Sequence, residues 1–207
     1  KLLIVAPHPD DEILGVGGSM IKAIENGQEV VVLYLSSGDS IEDVREEEAR
    51  AVCSSIGVKS YHFLRLKDQT FKVSAENIKS IVKLLDEIQP DLVFCNHEND
   101  ADFEHKIAYQ LIAESFWRYN ESSKKKAKGL ILYEVHKPLQ TYNLNEDITL
   151  QIDQKMKAMS LYKSQLSKSR LDLAIKGLNQ YRGIFHEGCQ FAEVFQVKRY
   201  SELINSL

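Results

Sequence analysis

Short, nearly continuous apolar runs alternating with amphipathic stretches constrain this chain more than any other feature. The runs are Leu2–Ala6, Glu29–Leu35, Ser60–Leu64, Asp91–Cys95 and Leu130–Val135. Strands of that character are buried on both faces, as in a parallel sheet covered by helices. Between them, Ile13–Asn26, Ile41–Ile56, Ala75–Ile88 and Glu104–Arg118 carry apolar residues at helical spacing. Gly27 and Gly57 suit the left-handed residue that ends a helix, and Pro90 closes the third helix before the fourth strand. The βαβα order predicts an α/β fold, a doubly wound, Rossmann-like and mostly parallel sheet flanked by helices. Ile152–Ser164 and Arg170–Tyr181 read as further helices, and Gln190–Val197 as a last strand at a sheet edge. No repeat, low-complexity segment or linker divides the 207 residues, so 1–207 is read as a single domain.

Charge and cysteine usage narrow the function classes. A formal net charge of -4 leaves no basic excess to displace counterions from nucleic acid. The one basic cluster, Lys124 to Lys126, follows Ser122-Ser123 and reads as a solvated connector. Cys53, Cys95 and Cys189 are dispersed without CxxC spacing, which predicts buried, reduced thiols and a cytoplasmic protein. No run reaches the roughly 18 apolar residues of a membrane span, so no membrane partner is expected.

The chemistry concentrates in "VAPHPDDEILGVGG", Val5 to Gly18. His8 falls just beyond the first strand, and Asp10 and Asp11 enter the next helix. In open α/β sheets, ligands bind outside the carboxyl ends of the strands. Asp10, Asp11 and Glu12 could equally cap the helix and complement its dipole, although a cap needs one such residue and has no use for His8. Gly15, Gly17 and Gly18 do not have the spacing of a dinucleotide loop. A metal site accounts for the whole group, because imidazole with carboxylate suits zinc, and catalytic zinc takes three protein ligands. His8 and Asp11 are the candidate ligands, and Asp10 is left as a base. The strand expected beside the first is the fourth, followed by "CNHENDADFEHKIAYQ", with His97, Asp100, Asp102, Glu104 and His105 in nine positions.

These motifs resemble the LmbE-like (PIG-L) family of zinc-dependent N-deacetylases. Pro7-His8-Pro9-Asp10-Asp11-Glu12 matches the family's first motif in full. The second motif, typically D-x-H-x-D-H, is matched at its closing histidine by His105, while Asp102 stands for the middle histidine and Glu104 for the penultimate aspartate. Arg45, Glu48 and Ala51 fit an RxxExxA pattern, "FLRLKD" ends at Asp68, and "YKSQ" and "FAEVF" resemble the closing segments. The resemblance implies zinc held by His8, Asp11 and His105, with Asp10 as general base. It implies Glu104 as the hydrogen-bond partner of a ligand histidine, and Arg45 and Asp68 as sugar contacts. For Arg45 and Asp68 a plain ion pair or helix-face charge is the competing reading.

The middle histidine commonly assists the leaving group or oxyanion. With Asp102 in that place, His97, His136 or the protonated base are the candidates for that work. The implied substrate is a small N-acetylated amino sugar or its glycoside, and a trimer or hexamer is compatible with the family. A metal-dependent amidase on a non-sugar amide, or a zinc-binding homologue with little turnover, are the alternatives.

Overall fold

A computed structural model describes residues 1–38, 41–67, 72–185 and 188–198. Asp68 and His186 lie outside the described residues. In chain order the elements are β1 (Leu2–Ala6), α1 (Asp11–Glu25), β2 (Val30–Tyr34), α2 (Glu42–Ile56), β3 (Ser60–Phe63), α3 (Ala75–Ile88) and β4 (Leu92–Asn96). They continue as α4 (Phe103–Ser122), β5 (Gly129–Tyr133), β6 (Leu144–Asp147), α5 (Ile152–Met159), α6 (Lys163–Leu166), α7 (Leu171–Ile184) and β7 (Ala192–Lys198). The sheet order is β3-β2-β1-β4-β5-β7-β6. The first five strands are parallel, and β7 runs antiparallel to both β5 and β6.

The continuous apolar strands bury both faces, as their composition requires. Ile4, Val32 and Phe94 point into a core with Ile13, Met20 and Val52, whereas Leu3, Leu33 and Val93 point to the other side, with Ile81, Leu111 and Phe116. Helices α1 and α4 therefore cover opposite faces while both begin at the carboxyl edge of adjacent central strands. The chain turns outward on either side of β1, and that reversal opens the crevice in which the site lies.

Local signals account for most boundaries. Gly57 ends α2 in the left-handed conformation at φ 89, and Ser74 caps α3 by accepting a hydrogen bond from Asn77 N. The sequence glycines of α1 serve packing: a Cβ on Gly15 would lie 2.2 Å from Tyr133 Cδ2. That ring cannot retreat, since Tyr133 is fully buried and donates its hydroxyl hydrogen bond to Val5 O at 2.7 Å. Gly15→Ala is expected to lower stability, because overpacking costs about 1–3 kcal/mol against a helix-propensity gain of at most about 1 kcal/mol. Urea denaturation measures it, and an unchanged or raised midpoint contradicts the close approach.

The carboxyl-terminal part departs from the expectations. The last strand is not an edge: β7 lies between β5 and β6, and β6 forms the edge. Residues 144–147, Leu-Asn-Glu-Asp, carry no apolar alternation and are mostly exposed, so periodicity could not reveal them. The expected helix Ile152–Ser164 breaks into α5 and α6, because Tyr162 turns inward to full burial and its hydroxyl reaches Glu12. Cys53 and Cys95 are buried free thiols as expected, but Cys189 is only half-buried. No helix among the described residues is long and apolar enough to cross a membrane.

Candidate active site

The end of β1 and the end of β4 bring the two sequence motifs together. One ligand atom each from His8, Asp11 and His105 lies within 4.8 Å of the others. Asp11 Oδ2 stands 3.5 Å from His8 Nδ1 and 3.2 Å from His105 Nε2. It also accepts a hydrogen bond from His8 N at 2.9 Å, which fixes its rotamer toward the imidazoles. The turn that makes this possible is strained. Asp10 has φ 121, a region that residues with a Cβ rarely occupy, and strain of this kind collects at functional sites. Asp10 stands at the N-cap position of α1 without a side-chain cap bond, so helix capping does not explain its carboxylate.

A carboxylate stands on the far side of each histidine. Glu104 Oε2 lies 2.7 Å from His8 Nε2, so with the proton on Nε2 the Nδ1 lone pair faces Asp11. Asp100 Oδ2 lies 3.5 Å from His105 Nδ1, and His105 is fully buried. Neither ring nitrogen of His105 has a hydrogen-bond partner: Asp11 and Asp100 are near enough to attract charge but outside hydrogen-bond geometry. A buried orphan nitrogen aimed at a carboxylate and a second imidazole fits a cation, and the two-histidine, one-carboxylate set suits zinc.

Electrostatics sort the neighbouring acids. Burial, then the adjacent Asp11, pushes the Asp10 carboxyl well above its usual range, against the pull of Arg45. Burial acts on Asp11 in the same direction, yet His105 and His8 outweigh it and hold Asp11 well below that range. Burial opposes a proton on His105, but Asp11 and Asp100 prevail and push the imidazole up to about 10. The same carboxylates that favour a proton on His105 would favour a metal ion in its place.

The remaining sequence candidates occupy distinct positions. Asp102 caps α4, its Oδ1 accepting from Glu104 N at 2.7 Å and His105 N at 3.3 Å. Arg45 is 8% exposed and lies behind Asp10, its Nη2 donating to Pro9 O at 2.8 Å and to Asp10 Oδ1 at 3.3 Å. Sequence reading assigned it to substrate without finding these two partners, which lie 36 and 35 positions away. His97 is buried, with Nε2 on Lys137 O and Nδ1 accepting from Asn99 N, and is thereby removed from the chemistry. His136 is exposed, its ring 4.8 Å from that of His105. Asp100 was visible as one acid in a cluster, but only the fold places it against His105.

A family model described as "PIG-L: GlcNAc-PI de-N-acetylase" matches residues 3–116, more than half of the chain. The chain is 26% identical to a diacetylchitobiose deacetylase of Thermococcus kodakarensis, over 94% of this chain and 88% of that protein. Its fold superposes on the conserved protein TT1542 of Thermus thermophilus with TM-score 0.83 and 26% identity, covering 94% of this chain and 93% of that one. A 4-carboxy-2-hydroxymuconate hydratase from Pseudomonas putida also gives TM-score 0.83, at 22% identity over 95% of both chains, a likeness of fold alone. The family match spans both halves of the His8–Asp11–His105 cluster, and the chain belongs to the PIG-L family.

Proposed function

We propose that this chain is a zinc-dependent hydrolase that removes the acetyl group from an N-acetylated amino sugar or its glycoside. The observation that carries the reading is the convergence of His8 Nδ1, Asp11 Oδ2 and His105 Nε2, with Asp10 beside them and Arg45 behind it. His8, Asp11 and His105 would hold the ion. When bound, zinc supplies Lewis acidity, lowering the pKa of water to about 7 and polarising a carbonyl.

The chain's own groups do the rest. Asp10 accepts a proton from the attacking water, whose oxygen bonds to the acetamide carbonyl carbon. As the C–N bond breaks, the same carboxyl returns that proton to the departing amine nitrogen, so acetate and free amine leave and Asp10 is restored. Asp10's raised affinity for a proton, caused by burial and the adjacent Asp11, suits a group that must take one up and give it back. Glu104 and Asp102 serve the reaction through the ligands: Glu104 holds the His8 tautomer, and Asp102 anchors the first turn that carries Glu104 and His105. Arg45 and Asp68 are proposed sugar contacts, with Arg45 also steadying Asp10. The free thiols support a cytoplasmic setting.

Acetate release from N-acetylglucosamine, diacetylchitobiose and N-acetylglucosaminides tests the reading. Purified protein is expected to carry about one zinc per chain, to lose acetate release on chelation and to recover it with zinc. A zinc-loaded protein that releases acetate from no member of the panel overturns the assignment.

A further inference from the structure

Asp10 is held in its strained conformation by more than its own loop. Its backbone N–H donates to Glu12 Oε2 at 3.0 Å, and the other oxygen of Glu12 accepts from Tyr162 OH at 2.5 Å. Glu12 is 1% exposed and Tyr162 fully buried, so water does not compete for either bond. Both carboxylate oxygens of Glu12 are thus occupied by donors. Glu12 belongs to the first turn of α1, whereas Tyr162 sits in the break between α5 and α6, 150 positions away. Around the Tyr162 ring, Tyr34 and Cys53 close the pocket from β2 and α2.

We propose that Glu12 and Tyr162 are positioning residues: the Tyr162 hydroxyl sets the Glu12 carboxylate, which grips the Asp10 N–H and aims the Asp10 side chain at the reacting water. The proposal rests on the deacetylase reading. A peptide unit at φ 121 relaxes unless its surroundings over-determine it, and the buried Glu12 acceptor is the contact made to that unit's own N–H. The break of the helical stretch after Met159 gains a functional reason, since a continuous helix would carry Tyr162 past Glu12. A base displaced by about 1 Å loses on the order of 100-fold in rate, while substrate binding, made elsewhere in the cleft, is little changed.

Three variants test this. Glu12→Leu removes both acceptors, Tyr162→Phe removes only the hydroxyl, and Glu12→Gln restores the arrangement in neutral form, its oxygen accepting from Asp10 N–H and its amide donating to Tyr162. Expected for Glu12→Leu is a kcat lower by about 10- to 100-fold with KM within about twofold and full zinc content. Tyr162→Phe should fall part of the way, and Glu12→Gln should recover most of the lost kcat. In the metal-free protein, the amide proton resonance of Asp10 should shift upfield in Glu12→Leu and Tyr162→Phe but stay near its wild-type position in Glu12→Gln. That signal is read without turnover, so a wild-type protein that releases no acetate sinks the deacetylase reading and leaves the clamp to be judged by the resonance. An unmoved resonance, an unchanged kcat, loss of zinc along with activity, or a Glu12→Gln protein as impaired as Glu12→Leu overturns the proposal. If Glu12→Leu does not fold, Tyr162→Phe decides by the same readings.

Discussion

Asp10→Asn is expected to keep its zinc and to lose about 10²–10⁴-fold in turnover. The side chain is nearly isosteric, and the proposed ligand set of His8, Asp11 and His105 is untouched. An amide still accepts a hydrogen bond from water and from Arg45, but it cannot take up a proton and hand it to the amine. Asp11→Ala is expected to behave in the opposite way. It removes one of three donors and leaves His105 Nε2 facing a vacated space, so metal content falls and activity follows it. Elemental analysis and acetate release on the same two preparations separate the roles. A zinc-free Asp10→Asn protein, or one with near-full turnover, would return Asp10 to a structural part.

The largest effect on stability is expected far from the chemistry, at Lys155 and Glu193. Lys155 is fully buried, and its ammonium donates to Leu14 O at 2.8 Å, Asn179 Oδ1 at 2.8 Å and Glu193 Oε1 at 2.7 Å. Glu193, 1% exposed, also accepts from Gly18 N and Ser19 N, each at 2.8 Å, and from Ser19 Oγ. This cluster ties α5, α7 and β7 to the middle of α1, and so secures the helix whose first turn carries Asp11. Burial works against the charge on Lys155, lowering its pKa, which the Glu193 carboxylate opposes. Removing one partner strands a charge in the interior, so Lys155→Met is expected to cost about 3–5 kcal/mol. For a chain of this size that corresponds to a melting temperature lower by roughly 6–20 °C. Lys155→Met combined with Glu193→Gln removes both charges and should recover part of the loss. A Lys155→Met protein as stable as wild type would show that the pair does not secure the helix.

Much of the candidate site was legible because its parts are local. The "PHPDDE" stretch carries the proposed ligands His8 and Asp11 and the proposed base Asp10 within four positions, and the strand-then-helix pattern on either side places them at a carboxyl edge. The alternation of apolar runs with amphipathic stretches specifies parallel strands buried on both faces, and from that order the neighbouring ends of β1 and β4 could be inferred. His105 was reachable for the same reason, as an imidazole in the first turn of the helix after β4. That likeness of fold does not decide activity is plain from the hydratase that shares the architecture.

What the sequence determined by itself was the period of burial along each segment, because the spacing of apolar residues states which faces must leave water. Which polar groups meet across those faces is not written in any local period. Asp100 against His105, Arg45 against Pro9 and Asp10, Tyr162 against Glu12 and Lys155 against Glu193 join elements 5 to 150 positions apart. The hydrogen-bonded pairs form because a buried polar group must find a partner once the apolar faces have closed, and Asp100 is brought within 3.5 Å of His105 by the same closure. For the same reason β6, polar and exposed, became a strand only when β7 offered it an edge to pair with. Hydrophobic patterning therefore decided where the helices and the buried strands lie, and the tertiary structure alone decided the polar edge strand and which buried charges meet around the proposed catalytic groups.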